Sequence, residues 1–309
     1  MIQEISFAGW KRNVCLKGAN TELVITLDVG PRILRYAFHD ARNIFVEMPE
    51  QLGGSGEKEW MIRGGHRFWT APEAGHSYEL DNSPVEWKKA GDSTVEITQP
   101  VSPYGFQKTL RVEFGKDELV RVTHSLKNCG AKPLDVTPWA LSVMAPGGTA
   151  LIPQPYLDFH PSEFPEGRET KSQDFLPNRE LILWPFTNIT DGRYAFSEHY
   201  LRVSHHPERP ATKIGLKLPT GWIAYQNGDF VFAKHFAYDP AAPYPDSGAN
   251  FELFTNIKIL ELESLAPSLP LAPGAVRDHV EHWVLRKVTD DLRREKVARD
   301  FFAALPVIA

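Results

Sequence analysis

The chain contains few of the features that mark a secreted, membrane-bound or disulfide-stabilised protein. Only two of its 309 residues are cysteines, Cys15 and Cys129, and their spacing fits neither a disulfide framework nor a metal-binding motif. No segment approaches the roughly 18 apolar residues that a membrane-spanning helix requires. The N-terminus also lacks the basic and then apolar pattern of a signal peptide. We therefore predict a cytoplasmic protein with reduced thiols and no membrane partner.

The chain also lacks a strong charge of either sign. Its 34 basic and 39 acidic residues are interspersed, which gives a formal net charge of −5 without any polybasic run. Because nucleic-acid grooves concentrate Lys and Arg, this distribution predicts no nucleic-acid partner. P-loop and Rossmann glycine patterns are absent, as are His-x-His and His-Glu-x-x-His motifs, so we expect no cofactor and no metal. No feature of the sequence predicts an oligomeric state.

What the sequence does contain is a series of segments in which apolar and polar residues alternate. Residues 21–28, 94–99, 108–114 and 119–126 each alternate in this way and are bounded by Gly, Pro, Asp or Asn. This pattern is typical of half-buried antiparallel strands. Residues 115–118, between the last two segments, predict a hairpin turn. Further strands are predicted at 180–186, 200–205, 213–218, 221–226, 229–236, 250–263 and 278–286.

Only the C-terminal end of the chain has a helical pattern. Apolar residues recur there at helix-like spacing between Asp290 and Ala304, and Thr289 is a candidate N-cap. Residues 154–178 are rich in proline and charge and lack periodicity, which predicts a long surface excursion of the kind that often shapes ligand sites. We therefore predict an all-β fold forming a single domain over residues 1–309. A dozen or more strands would form two packed antiparallel sheets with a short C-terminal helix as a cap.

Residues 63–76 concentrate side chains that suit a polar ligand. These fourteen residues include two arginines, two histidines, a tryptophan, a glutamate and three glycines. Charged side chains are rarely buried unless they are paired, and consecutive glycines weaken strands and helices, so the segment makes a poor core. Arginine orients oxygen atoms, an indole offers a flat apolar wall, and imidazole transfers protons near neutral pH. The segment is therefore predicted to line a pocket.

Several motifs along the chain resemble those of the galactose mutarotase-like superfamily, which includes aldose 1-epimerases and hexose-6-phosphate 1-epimerases. Arg63-Gly-Gly and the later Trp69 are similar to the segment that opens the hexose-phosphate epimerase site, and Gly75-His76 to the segment that carries the first catalytic histidine. The resemblance implies an antiparallel β super-sandwich whose broad sheet holds a monosaccharide. Further segments that carry the resemblance are residues 28–35, 43–45, 259–265, 271–274 and 282–285.

The resemblance implies an acid–base mechanism on a small carbohydrate. Members of the family interconvert the two anomers of a free sugar, with a carboxylate that accepts the anomeric hydroxyl proton and an imidazolium that protonates the ring oxygen. By position, Glu261 matches the base and His76 the acid. Glu263 is the alternative base, because residues two apart on a strand project from the same face. His66, in the same segment as His76, is the alternative acid.

The remaining candidates are expected to contact the substrate. Arg63 and Arg67 are assigned to sugar oxygens, with surface ion pairs as the alternative. Trp69 is assigned to stacking on a sugar face, with a place in the core as the alternative. Lys213 and Lys234 are candidates for binding hydroxyls or the carboxylate of an acidic sugar, with simple solvation as the alternative.

The chain departs from the aldose epimerases at one position. Those proteins have a second histidine in a His-x-Tyr-Phe stretch on a central strand, whereas residues 137–144 contain none and Trp139 occupies about that place. The histidines that remain candidates for the place of this second catalytic histidine are His124, His205, His206 and His235. Two hypotheses follow: a sugar 1-epimerase, which is an isomerase, and a non-catalytic carbohydrate-binding protein on the same fold. Neither hypothesis identifies the sugar.

Overall fold

The computed structural model describes residues 1–308, and strands make up most of its regular structure. The helices are one distorted turn, α1 (Pro245–Gly248), and α2 (Glu295–Ala303), with short 3₁₀ turns at Pro49–Gln51, Lys116–Glu118, Pro161–Glu163 and Ser172–Phe175. The strands are β1 (Ile2–Phe7), β2 (Trp10–Lys17), β3 (Thr21–Thr26), β4 (Arg32–Phe38), β5 (Gly65–Ala71), β6 (Glu86–Gly91), β7 (Thr94–Thr98), β8 (Phe106–Phe114), β9 (Val120–Asn128), β10 (Thr137–Met144), β11 (Thr149–Pro153), β12 (Leu181–Leu183), β13 (Tyr194–Phe196), β14 (Tyr200–Ser204), β15 (Thr212–Leu216), β16 (Trp222–Asn227), β17 (Phe230–Phe236), β18 (Phe251–Thr255), β19 (Leu260–Leu265) and β20 (Val276–Lys287).

The strands form two antiparallel sheets that pack face to face. Sheet A has the order β1-β2-β3-β4-β5-β10-β19-β18-β15-β12, and sheet B has the order β13-β14-β11-β16-β17-β20-β9-β8-β7-β6. The main core lies between them, where Tyr36 of sheet A packs edge-on against Phe232 and near Trp283 of sheet B. The predicted all-β antiparallel sandwich with a short C-terminal helix is thus confirmed.

Most predicted strands are present within one or two residues of their expected bounds. Residues 115–118 connect β8 to β9 as predicted, through a 3₁₀ turn at Lys116–Glu118. The prediction of one strand over 250–263 is wrong, because residues 256–259 form a hairpin turn between β18 and β19. The side chain of Asn256 holds that turn by accepting hydrogen bonds from the backbone N–H groups of Lys258 and Ile259. Such a side-chain–backbone bond interrupts a strand without changing its apolar pattern.

The C-terminal helix begins later than predicted. Arg294 is its N-cap, five residues after Thr289, because the preceding residues form a turn in which the Leu292 N–H donates to the Gln226 side chain. The helix α2 packs against the outer face of sheet B, where Phe302 stacks on Tyr200. No helix within residues 1–308 combines the length and the hydropathy needed to cross a membrane.

Three neighbouring strands at the centre of sheet A, β5, β10 and β19, determine which side chains reach its outer face. Side chains alternate between the two faces of a strand. Phe68 therefore points into the main core, whereas Trp69 belongs to a separate cluster on the opposite face. The register pairs Trp69 with Trp139 and Leu141 with Glu263, so residues from all three strands share that outer face.

Candidate carbohydrate site

A cavity of about 330 Å³ opens on the outer face of sheet A. We call it the sheet A pocket. Its volume lies at the lower end of the range for small-molecule sites, which is roughly 300–1,000 Å³. Its lining residues are Trp60, Ile62, Arg67, Trp69, Glu73, Tyr78, Trp139, Leu141, Trp184, Phe186, Lys213, Phe254, Asn256, Ile259, Glu261 and Glu263.

Arg67 is buried against the wall of the pocket. Its guanidinium lies over the rings of Trp60 and Trp69, at 5.3 and 4.5 Å from their centroids, and its Nη2 is 2.8 Å from a carboxylate oxygen of Glu261. Arg67 is only 2% exposed, yet its Nε and Nη1 have no hydrogen-bond partner among the residues that the structure describes. Buried N–H groups are almost always paired. These donors are therefore available to the oxygen atoms of a ligand.

Lys213 forms a second charged group on the same face. Its ammonium is 2.6 Å from Glu252 and 3.2 Å from Glu263, and it lies over the rings of Trp139 and Trp184. Burial alone would lower the pKa of Lys213, but the two carboxylates raise it above its ordinary value. The Trp139 Nε1–H also donates to Glu263, at 3.1 Å. The lysine is thus held as a charged structural partner of the carboxylates.

Burial and repulsion from a neighbouring carboxylate raise the pKa values of Glu252 and Glu263. Burial raises the pKa of Glu263, and the nearby Lys213 ammonium opposes this shift only in part. For Glu252 the pKa is raised well above its ordinary value, again mainly because the group is buried. Two carboxylates that share one ammonium favour the protonated form of one of them. The pocket therefore contains a carboxyl group suited to donating a proton.

One wall of the pocket comes from the residues that follow β12, the edge strand of sheet A. Trp184 and Phe186 extend from this segment over the edge of sheet A. A Cβ atom added at Gly215 would lie 3.1 Å from the Trp184 ring, so the glycine leaves space for the indole. Trp60 and Tyr78 close another side, with ring centroids 5.6 Å apart. Sequence reasoning missed these four aromatic residues. Trp60 and Tyr78 lie in loops without an alternating pattern, and the strand predicted at 180–186 ends at Leu183, so that Trp184 and Phe186 lie beyond it.

The structure divides the predicted site residues into two groups. Six of them line the sheet A pocket, on four different strands: Arg67, Trp69, Trp139, Lys213, Glu261 and Glu263. The other four lie outside the lining of this pocket: Arg63, His66, His76 and Lys234. The expected assembly of His76, Arg63 and Glu261 around one hollow is therefore not what the structure shows.

His76 lies on the other side of β5 from the pocket. Its Nδ1 is 2.8 Å from the hydroxyl of Thr70, and its ring approaches Tyr104. Thr70 follows Trp69 on the strand and projects from the opposite face. Burial lowers the pKa of His76, which disfavours the imidazolium that an acid role requires. Glu261 and His76 do not face each other across the sheet A pocket.

Arg63 is a structural residue of a tight turn. Its guanidinium is buried and donates to the backbone carbonyls of Gln51 and Gly54, at 2.9 and 3.0 Å, and to the side chain of Glu57. These bonds fasten the loop over residues 51–57 and leave only its Nε without a partner among residues 1–308. The alternative of an ion pair fits Arg63 better than sugar binding, although the pair is buried on the arginine side.

The two glycines after Arg63 are required by the backbone. Residues 63–65 all have positive φ angles, of 52°, 87° and 73°. A Cβ atom at Gly64 would lie 2.1 Å from the carbonyl oxygen of Val46, and one at Gly65 would lie 2.3 Å from that of Ile33. The Arg-Gly-Gly motif thus brings three chain segments together at the start of β5. It places Arg67 correctly without contacting the pocket.

His66 and Lys234 are fully buried between the two sheets. His66 projects from β5 opposite to Arg67 and lies 2.7 Å from His124, while Lys234 pairs with Glu281 at 2.7 Å. Neither side chain has access to the outer face of sheet A. Solvation, the alternative considered for Lys234, is also wrong, because its side chain has no exposed surface.

Comparisons with known proteins support the fold. No family model matches the chain, and no curated protein matches it. Among solved structures, the chain is similar to the Slr1438 protein from Synechocystis sp. PCC 6803, with a TM-score of 0.56 and 12% identity over 92% of this chain and 99% of that one. It is also similar to a galactose mutarotase-like protein from Lactobacillus casei ATCC 334, with a TM-score of 0.55 and 10% identity over 89% of this chain and 100% of that one.

A third similar structure is a TPR-domain containing protein from Parabacteroides distasonis ATCC 8503. Its TM-score is 0.60 and its identity 14%, and the match covers 96% of this chain but only 49% of that longer one. Identities this low establish the fold and nothing finer. The chain thus has the galactose mutarotase-like fold, which confirms the fold that the resemblance in its sequence implies.

Proposed function

We propose that the sheet A pocket binds a neutral carbohydrate of about one sugar unit. The observation that carries this proposal is the buried guanidinium of Arg67, whose Nε and Nη1 have no partner among the described residues. Indole rings and the carboxylates of Glu261 and Glu263 line the pocket around these donors. Sugar hydroxyls both accept and donate hydrogen bonds, and sugar C–H faces pack against aromatic rings. A polyhydroxylated ring therefore suits every part of this lining.

The charges of the pocket favour a neutral sugar over an anionic one. Arg67 and Lys213 are already paired with Glu261, Glu252 and Glu263. The lining itself contains three carboxyl groups, those of Glu73, Glu261 and Glu263, and only two cations. A sugar phosphate or uronate would add like charge at close range, which is costly in a partly buried site. Because Lys213 is held by Glu252 and Glu263, it does not bind the carboxylate of an acidic sugar in this proposal.

A 1-epimerase activity is a second candidate function, favoured by the two carboxylates on one strand face. Glu263, with its raised pKa, would protonate the ring oxygen, while Glu261 accepts the proton of the anomeric hydroxyl. The ring then opens to the aldehyde, and reversal of both transfers after rotation gives the other anomer. No histidine is among the residues that line the pocket. The acid of this mechanism would therefore be Glu263 instead of His76.

Isothermal titration calorimetry with D-glucose, D-galactose, D-xylose, D-glucose 6-phosphate and D-glucuronate tests the proposal. We expect at least one neutral sugar to bind, and its charged counterpart to bind at least about tenfold more weakly. Arg67→Lys keeps a cation beside Glu261 but removes the forked donors, so it is expected to weaken binding about tenfold or more. Arg111→Lys, on sheet B, is the matched control. Failure of all neutral sugars to bind would refute the proposal.

Polarimetry of freshly dissolved α-D-glucose and α-D-galactose separates the two candidate functions. An epimerase accelerates the approach to the equilibrium rotation, and Glu263→Gln should then slow it about a hundredfold or more while sugar binding persists. Binding without any acceleration identifies a non-catalytic carbohydrate-binding protein. Glu73→Gln, which alters an exposed carboxylate of the same lining, is the control for charge alone.

A further inference from the structure

A second group of polar side chains lies between the two sheets, directly behind the sheet A pocket. We call it the interlayer network and define it by His66, Ser142 and Ser264 of sheet A and His124, Lys234 and Glu281 of sheet B. All six side chains are completely buried. Buried charges are rare unless they are paired and hydrogen-bonded, so this arrangement requires a physical explanation.

An ion pair lies at the centre of the interlayer network. The Lys234 ammonium is 2.7 Å from Glu281 and also donates to the backbone carbonyl of Leu262, at 2.8 Å. Glu281 accepts two further hydrogen bonds, from Ser264 at 2.5 Å and from the Trp283 indole at 2.7 Å. The carboxylate thus accepts from three donors, and such additional hydrogen bonds are the condition under which a buried ion pair is tolerated.

The imidazoles of the interlayer network permit one arrangement of protons. The Nδ1 of His124 is 3.0 Å from the carbonyl oxygen of His279, to which it can only donate. Its Nε2 must then accept from the Nε2–H of His66, 2.7 Å away. The Nδ1 of His66 in turn accepts from the hydroxyl of Ser142, at 2.9 Å. Burial keeps both rings neutral by lowering the pKa of His66 and of His124.

The contacts of the interlayer network fall beside the residues that line the sheet A pocket. His66 precedes Arg67 on β5, and Ser142 follows Leu141 on β10. On β19 the Leu262 carbonyl lies between the two glutamates of the pocket, and Ser264 follows the second of them. The network therefore makes hydrogen bonds to the core-facing side of the same three strands, at neighbouring register positions.

We propose that the interlayer network, with the Lys234–Glu281 pair at its centre, is a positioning device for the sheet A pocket. Hydrogen bonds from one layer hold β5, β10 and β19 at a set depth and register, so that Arg67, Glu261 and Glu263 meet at one place on the other face. Sites that bind or react with precision depend on such supporting contacts. The consequence for sugar binding rests on the proposed function, whereas the effect on the carboxylates does not.

A metal ion is the other occupant to consider for this cluster. The candidate ligand atoms of His66, His124 and Glu281 all lie within 4.8 Å of one another. A divalent cation would have to displace the His66 proton and would stand beside the Lys234 ammonium, which already neutralises Glu281. Two cations on one buried carboxylate repel each other strongly. The geometry therefore favours the hydrogen-bonded network.

The test compares two buried ion pairs. Lys234→Met/Glu281→Gln removes both charges of the network at nearly constant volume and leaves no unpaired ion. Arg193→Met/Asp191→Asn is the control, because that pair has side chains 2% and 9% exposed and lies in the turn before β13. The readout is the titration of the Glu263 carboxyl carbon by ¹³C NMR in folded protein. A side chain that only adds stability would lower the melting temperature without moving this titration.

We expect the raised Glu263 midpoint to move toward its ordinary value in the network variant, and to stay in place in the control. Equal midpoints in all three proteins would overturn the proposal. If the double variant does not fold, Ser142→Ala and Ser264→Ala provide milder cuts, and their midpoints must move in the same direction. Stoichiometric zinc, iron or manganese in the purified protein, lost in His124→Gln, would also overturn it.

Calorimetry with D-glucose and D-galactose gives the second readout. For whichever of these sugars binds the wild-type protein, the network variant should bind about tenfold more weakly or worse, and the control less than about twofold. Unchanged affinity in the network variant contradicts positioning. Absence of binding by the wild-type protein contradicts the proposed function instead, and the Glu263 titration then decides the positioning by itself.

Discussion

At the scale of single residues, the pocket is built from ion pairs that lie against indole rings. Arg67 pairs with Glu261 over Trp60 and Trp69, and Lys213 repeats the pattern with its own carboxylates and indoles. A desolvated cation over an aromatic face contributes about 1–2 kcal/mol, whereas a buried charge left without its partner costs about 3–5 kcal/mol. The second effect is larger, so the pairing of charges dominates the local energetics.

This difference predicts the outcome of removing Arg67. The variant Arg67→Met leaves the Glu261 carboxylate, in a residue only 6% exposed, without its cation, and we expect it to lower the free energy of unfolding by about 3–5 kcal/mol. The double variant Arg67→Met/Glu261→Gln should recover at least about 1 kcal/mol of that loss, since no unpaired charge remains. Urea unfolding measures both. A double variant no more stable than the single one would contradict the assignment of the pair.

The proton positions in the interlayer network are a further prediction at this scale. His66 should carry its proton on Nε2 and His124 on Nδ1, because only this assignment satisfies the contacts with Ser142 and with the His279 carbonyl. Burial lowers the pKa of both rings, so both should remain neutral from about pH 7 to pH 8. ¹⁵N NMR of the imidazoles distinguishes the two tautomers and the charged form. The opposite tautomers, or a titration in this interval, would be incompatible with the network.

At the scale of elements, the turn that precedes β5 sets the position of the strand. Its three residues with positive φ bring the chain close to the backbone of Val46 and Ile33. A strand that begins one residue earlier or later would exchange its two faces, since the side-chain period is two. Arg67 would then point into the core and His66 toward the pocket. The turn is therefore what selects the arginine for the ligand site.

Substitution of glycine in this turn should be costly. Gly64→Ala places a Cβ 2.1 Å from a backbone oxygen at a φ of +87°, and we expect a loss of about 2–5 kcal/mol of stability. Gly56→Ala is the matched control, because its φ is +74° but nothing lies within 4 Å of the added carbon. It should cost only about 1–2 kcal/mol. Thermal unfolding of the two variants gives the comparison, and equal losses would show that steric contact with Val46 is unimportant.

At the scale of the whole molecule, two kinds of contact, apolar and polar, hold the two sheets of the sandwich together. Most of the interface is hydrocarbon, but the interlayer network inserts charged and imidazole groups into it. Burial lowers the pKa of His279, which accompanies the network, to about 3. The folded protein therefore keeps this ring neutral at pH values where the unfolded chain protonates it. The stability of the molecule must depend on pH for this reason.

The sign of that dependence follows from proton binding. Between about pH 6.5 and pH 3 the unfolded chain binds a proton at His279 that the folded protein does not, so the contribution is complete above pH 6.5 and is lost as the pH falls. The loss approaches about 1.4 kcal/mol per pH unit. The wild-type advantage over His279→Gln in urea unfolding should therefore shrink by about 2 kcal/mol from pH 7 to pH 5. A difference that is independent of pH would contradict a neutral buried His279.

Much of the fold was predictable from alternation alone, because a strand with one buried face must repeat its apolar residues every second position. The breaks at residues 256–259 and before Glu295 were not, since they depend on hydrogen bonds that the side chains of Asn256 and Gln226 accept from backbone N–H groups. Within the site, Glu261 and Glu263 were expected to share a face, and they do. Trp184 lies within the strand predicted at 180–186, but that strand ends at Leu183, and only the tertiary structure places the indole in the lining of the pocket.

The sequence by itself determined which residues can share a face, because the period of a strand is a local property of the backbone. Only the tertiary structure decided which of the two faces of β5 meets a ligand, since that depends on what distant strands and loops pack against each side. Arg67 and Glu261 therefore meet in the pocket. His76 and Arg63 belong to the same segment, residues 63–76, as Arg67, but they are held elsewhere by Thr70 and by the loop over residues 51–57.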